Sequence, residues 1–168
     1  MGALYDYLKE SQPDKVKETR EEWLVAGLMH DVDYEQFTDG DYTDHGKKSV
    51  EILKKENLDL PESVYQAIKA HCYNLHPDWE PKTLMDWSLF IMDSLTGLIV
   101  ATTLVLPSKK LAEVTVERIQ NRFKEKAFAR GSRREDIATC EDRLGIPLAK
   151  FFGINLKAMQ KISDKLGL

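Results

Sequence analysis

The sequence predicts an all-α fold, and three observations carry that prediction. Apolar residues recur at helical spacing, no segment alternates Val, Ile or Thr with polar residues as a strand would, and Pro and Gly punctuate the chain at helix-length intervals. A chain of 168 residues, 42% hydrophobic and 31% charged, is long enough for one substantial core. The expectation is therefore a single domain over 1–168, a bundle of about six to eight helices. Its core helices lie within residues 13–106 and its closing helices within 109–166.

The first helix is expected over 13–30, with Ser11 as a cap before Pro13 and an apolar face that includes Val16, Trp23, Leu24 and Leu28 and broadens towards His30. The segment DVDYEQFTDGDYTD carries turn chemistry and reads as a loop. Thr43 or Asp44 then caps a helix over 45–57, whose inward stripe is Val50, Leu53 and Ile52. Pro61 opens another, with Val64, Ile68 and His71 roughly in line. The loop YNLHPDWEP leads to a long helix from Thr83 to Leu106, stopped by Pro107. Helices over 109–128, 132–143 and 147–166 follow, separated by Gly131 and the Gly145-Ile146-Pro147 turn. Their amphipathic pattern is the same for an extended core and for a homodimer face.

Composition excludes some functions. The net charge of -4 and pI near 5.6 leave no surplus of Lys and Arg to neutralise phosphates along a nucleic acid groove. Cys72 and Cys140 stand far apart and outside any CxxC arrangement, which suits reduced thiols. MGALYDYLKE has no basic segment followed by an apolar one, so the cytoplasm is expected. The stretch SLFIMDSLTGLIVATTLVL, residues 88–106, approaches the length of a membrane span, but Asp93 interrupts it. A mid-bilayer Asp costs roughly 3 kcal/mol on insertion scales. A buried core helix fits better, and no membrane is expected.

All four histidines, His30, His45, His71 and His76, lie in the first half of the chain. Neutral imidazole and ionised carboxylate, converging from rigid elements, make a metal site, and His30, Asp31 and Asp93 offer those groups. Asp93 sits in an apolar helix with no Lys or Arg within a turn or two, so its partner must come from elsewhere in the fold. Gly97, one turn on, would admit a close backbone or ligand. Taken singly, each residue has a plainer reading. A His-Asp pair at a helix end is usually a cap or core hydrogen-bonder, His45 can face solvent, His71 can be a satisfied helix-end histidine, and His76 before Pro77 reads as exposed.

Order and context shift the balance. AGLMHDVDYEQ, DHGKKSVEIL, AIKAHCYN and MDSLTGLIVATTLVLPSKK resemble successive segments of the HD superfamily of metal-dependent phosphohydrolases, in particular its small bacterial stand-alone HDIG-type proteins. The resemblance continues through FKEKAFARG and the C-terminal helices. It implies that His30 and Asp31 are the metal-binding doublet and Asp93 the last ligand of a divalent ion drawn from Mn²⁺, Mg²⁺, Fe²⁺, Zn²⁺, Ni²⁺ and Co²⁺. It further implies that His45 and His71 bind a second metal or act on the substrate phosphate, stabilising charge or protonating the leaving group. Asp33 is an alternative proton acceptor as well as a turn former. Lys109 and Lys110, with Lys47 and Lys48, are candidate cations for the phosphate. The family pattern begins with a histidine upstream of the doublet, whereas none precedes His30. MGALYDYL reads like the rest of that residue's helix, so the expectation is either further residues upstream or an incomplete site. The implied function is hydrolysis of a nucleotide or other small phosphate ester by metal-activated water. The alternatives are an HD-fold binding or regulatory module without turnover, and a helical protein with no metal.

Overall fold

The structure is a computed structural model and describes residues 1–38 and 40–168; Asp39, in the predicted loop, lies outside the described residues. All regular structure among the described residues is helical. The chain divides into two compact units, Met1–Phe90 and Ile91–Leu168.

In the first unit, α1 (Gly2–Ser11) and α2 (Arg20–Met29) replace the expected single helix over 13–30. The correction has a local cause. Thr19 and Glu22 form a reciprocal capping box, in which the Thr19 side chain accepts from Glu22 N and the Glu22 carboxylate accepts from Thr19 N at 2.7 Å, so α2 starts there. Ser11 is no cap: its hydroxyl donates to the Tyr7 carbonyl inside α1. Leu4, Leu8 and Trp23 are buried where α1 meets α2. Gly27 permits that approach, since a Cβ there would fall 2.5 Å from Met1 Cγ.

The remaining helices of this unit are α3 (Lys47–Lys55) and α4 (Glu62–Ala70), and α4 packs against both α2 and α3. Val50 and Leu53 of α3 and Val64 and Ile68 of α4 are buried, as their periodicity predicts, while Ile52 is half-buried. α3 is not capped by Thr43 or Asp44. Its N-cap is Gly46 at φ 77, and the cap acceptor is the distant Asp33 carboxylate.

The boundary between the units falls within α5 (Leu84–Leu104). This helix is the only one among the described residues long and apolar enough to cross a membrane, and 61% of its most apolar window is buried inside the protein. Beyond it, α6 (Val116–Lys124), capped by Thr115, packs on α9 (Leu148–Gln160), and Phe123 meets Phe152 with ring centroids 5.4 Å apart. The expected helices over 109–128 and 132–143 are shorter. The former is a single 3-10 turn at Leu111–Glu113 followed by α6, and the latter is the pair α7 (Arg134–Ala138) and α8 (Cys140–Leu144). The chain closes with α10 (Ser163–Leu166). Gly97 admits no unusual approach, because a Cβ there would meet only Ser132 Oγ at 3.4 Å.

Candidate metal centre

Three histidines reach one place from three different helices. His30 caps the C-terminus of α2, His45 precedes the N-terminus of α3, and His71 caps the C-terminus of α4. Because α4 packs on both α2 and α3, these three ends meet. The rings of His30 and His71 lie edge to face with centroids 5.0 Å apart, and those of His45 and His71 at 4.8 Å.

Each Nδ1 is held by a group that can only accept. His30 Nδ1 lies 3.0 Å from the Gly27 carbonyl, His45 Nδ1 lies 2.8 Å from Asp33 Oδ1, and His71 Nδ1 is hydrogen-bonded to the Ile68 carbonyl. Nδ1 therefore carries the proton in all three rings, and in each neutral ring Nε2 presents a lone pair. Those lone pairs face one another and a carboxylate. His45 Nε2 and His71 Nε2 are 3.1 Å apart, Asp31 Oδ1 lies 3.2 and 3.4 Å from them, and Asp31 Oδ2 lies 3.3 Å from His30 Nε2. Acceptors crowded in this way repel unless a proton or a metal ion sits among them.

The donor set fits a divalent metal. It combines neutral imidazole nitrogen with carboxylate oxygen, and each ring donates its other N–H to a carbonyl or carboxylate, the arrangement that orients metal-binding histidines. Without an ion, protons share the crowd. Burial alone would raise the Asp31 carboxyl, but hydrogen bonds from His30, His45 and His71 outweigh it and hold the group well below the usual carboxylate range. Burial lowers His45, yet Asp31 and Asp33 together raise it. Access is through Asp31, whose side chain is 43% exposed against 3% for His71.

Asp33 is fully buried and saturated: besides His45 it accepts from Gly46 N and Ser49 N, each at 3.0 Å, so one carboxylate orients the ring and caps α3. Ser49, which sequence reasoning did not single out, also donates from Oγ to the His30 carbonyl at 2.7 Å. Cys72 was passed over as well. It is buried with Sγ 3.3 Å from His71 Nε2, and His45, His71 and Cys72 form a group able to hold an ion, its donor atoms within 4.8 Å of one another. A Cys following a His at a helix end was the available signal. Phe37, Tyr34 and Tyr42 pack edge-on around the His45 ring.

The remaining expected residues have varied surroundings. His76 stacks on Trp79 and its Nε2 meets the Thr43 carbonyl, a tie between loops. Lys47 is exposed and paired with Asp44 and Glu51, while Lys48 lies over the Phe37 ring. Asp93 is half-buried on α5, in the second unit. Lys109 and Lys110 are exposed in the turn beyond the end of α5.

The family model described as HD domain matches residues 3–98, more than half of the chain. The chain belongs to the HD-domain family. That family is one of metal-dependent phosphohydrolases whose members bind divalent metals, and the matched span of this HD-domain protein takes in His30, Asp31, His45, His71 and Asp93. No curated protein and no solved structure matches the chain.

Proposed function

We propose that this HD-domain protein is a metal-dependent phosphohydrolase acting on a nucleotide or another small phosphate ester. The observation that carries the proposal is the set of three imidazoles, each locked at Nδ1, whose Nε2 atoms converge on one partly exposed carboxylate, Asp31. In this reading His30 and Asp31 hold a divalent ion. The family match, which extends to Leu98, supports Asp93 as a further ligand. A divalent ion bound by such donors lowers the pKa of a water ligand and offsets charge on phosphoryl oxygens.

The protein's own groups divide the remaining work. Asp31 lies at the open edge of the cluster, where a phosphate ester can approach. His45 and His71 present Nε2 beside it, placed to bind a second ion or, when protonated, to donate to a phosphoryl or leaving-group oxygen. Asp33 is assigned a positioning role in place of proton acceptance, because its two oxygens already accept three hydrogen bonds in a fully buried setting. Lys109 and Lys110 are not assigned to the phosphate.

The test is Mn²⁺-dependent hydrolysis of p-nitrophenyl phosphate. The expected result is turnover that falls by more than about a hundredfold in Asp31→Ala and in Asp93→Ala, beyond the range for losing a supporting hydrogen bond. Bound metal without turnover on a panel of phosphate esters would favour the binding-module reading.

A further inference from the structure

The second unit contains a feature that the metal centre does not use. A cleft of about 380 Å³ opens between the C-terminal end of α5 and the face of α6. Thr102 and the Glu125 carboxylate line its ends, one wall is apolar, formed by Val105, Leu106 and Pro107, and the other carries Arg118, Asn121 and Arg122. These three polar residues share a face because they lie three and four positions apart on one helix.

The two arginines are in different states. Arg122 is braced, with Nη1 donating to Glu125 Oε2 at 2.7 Å and its guanidinium 4.7 Å from the centre of the Phe128 ring, which leaves Nε and Nη2 for another acceptor. Arg118 lies at the cleft with no carboxylate partner among the described residues. The local charge agrees. Residues 107–134 carry nine Lys or Arg and three Glu, a net of +6 in a chain whose net is -4, so the rest carries -10. Arg133 and Arg134 of that segment are engaged internally, but Lys109, Lys110, Lys124 and Lys126 are exposed. A positive field confined to one segment of an acidic protein concentrates small anions there.

We propose that this cleft is a second ligand site, which binds a small phosphomonoester with an apolar or planar body. Two guanidinium groups one helical turn apart match the oxygens of one phosphate, with Asn121 as an added donor. The apolar wall takes the organic part, which inorganic phosphate lacks. All of its residues lie in the second unit, and none is among the groups proposed to hold metal.

The experiment uses the full-length chain and 1-naphthylmethylphosphonate, a non-hydrolysable probe, with binding read by calorimetry and its place by amide chemical shifts. The Asp31→Ala background removes the metal centre from the measurement. The expected result is one site per chain, shifts confined to residues near 102–107 and 118–125, and affinity reduced about tenfold or more by Arg118→Ala. Arg118→Lys should fall between, since an ammonium keeps the charge and loses the fork. Inorganic phosphate should bind more weakly than the probe. Binding unchanged by both Arg118 variants, or present in the wild type and lost in Asp31→Ala, would overturn the proposal. So would capture of the protein by phosphatidic acid vesicles, dependent on Arg118, without binding of the soluble probe, because that would make the ligand a lipid headgroup.

Discussion

In the second unit, six backbone carbonyls converge on one guanidinium; in the first, three imidazole nitrogens and a carboxylate converge on one another. Arg134 donates from Nη1 to the carbonyls of Ala129 and Ser132 at 2.7 and 2.6 Å, from Nη2 to those of Phe128, Arg122 and Glu125, and from Nε to that of Phe123. The chain leaving α6 would otherwise expose these acceptors with no ladder to satisfy them. Its own cation closes the gathering, and the result is a staple. The Asp31 carboxylate has the same electrostatic problem, and its ion-pair partners among the described residues are imidazoles, with no Lys or Arg. Groups that are expensive to gather, each oriented by its own acceptor and left open at one edge, are suited to receive a cation from outside.

The contrast can be broken most forcefully at Asp31. Removing it takes away the one group that touches all three rings, so Asp31→Ala should abolish divalent metal binding and turnover together. In the wild type, Mn²⁺ at a hundredfold excess over its dissociation constant should add about 2.7 kcal/mol of stability, raising the melting temperature by about 5–10 °C. The variant should show no such rise in differential scanning fluorimetry.

Arg134 tests the opposite side. Arg134→Ala leaves several carbonyls unsatisfied and should cost about 3 kcal/mol by urea unfolding. Arg134→Lys should recover part of that, since three ammonium donors cannot serve six acceptors. Neither change should alter metal content. A loss of bound metal in Arg134→Lys would erase the distinction between the two clusters.

Asp33 sharpens the comparison, because it supports the metal centre without belonging to it. An amide in its place keeps one accepting oxygen and puts a donating NH2 where the other stood, so Asp33→Asn should weaken metal binding about 10–100-fold by isothermal titration while the ion still binds. The smallest effect belongs to Glu22. The Ser63 hydroxyl, at 2.6 Å, and the Thr19 backbone outweigh desolvation and hold its carboxyl below the ordinary value. A carboxyl depressed in the folded state stabilises above its unfolded pKa, about 4.3, and that contribution is lost as pH falls through the folded value. Glu22→Gln should therefore cost less than about 1 kcal/mol at pH 7 and flatten part of the loss in melting temperature below about pH 4.

What was legible in advance follows from the range of the interactions involved. The helical class, the buried stripes of α3 and α4 and the length of α5 depend on local periodicity, and they could be read directly. The capping box of Thr19 and Glu22 was missed, because the apolar pattern running upstream of it concealed the break between α1 and α2. His30, Asp31, His45 and His71 drew notice by residue type and order. Their mutual orientation did not, because it depends on Asp33 reaching Ser49 sixteen positions away and on Ser49 reaching His30 nineteen positions away. Arg134 could not be read at all, since its partners are backbone carbonyls, which carry no residue identity. Lys109 and Lys110 were chosen for sequence proximity to the Asp93 helix, and proximity beyond a helix end carries no orientation, because α5 stops at Leu104.

The most direct test of the central claim is elemental analysis of the wild-type chain and of Asp31→Ala, each purified without chelator and then equilibrated with Mn²⁺ and desalted. The account predicts near-stoichiometric divalent metal in the wild type and none in the variant. Equal metal content in the two, or none in either together with a melting temperature unmoved by added Mn²⁺, would contradict it: the converging Nε2 atoms would then be reconciled by protons alone.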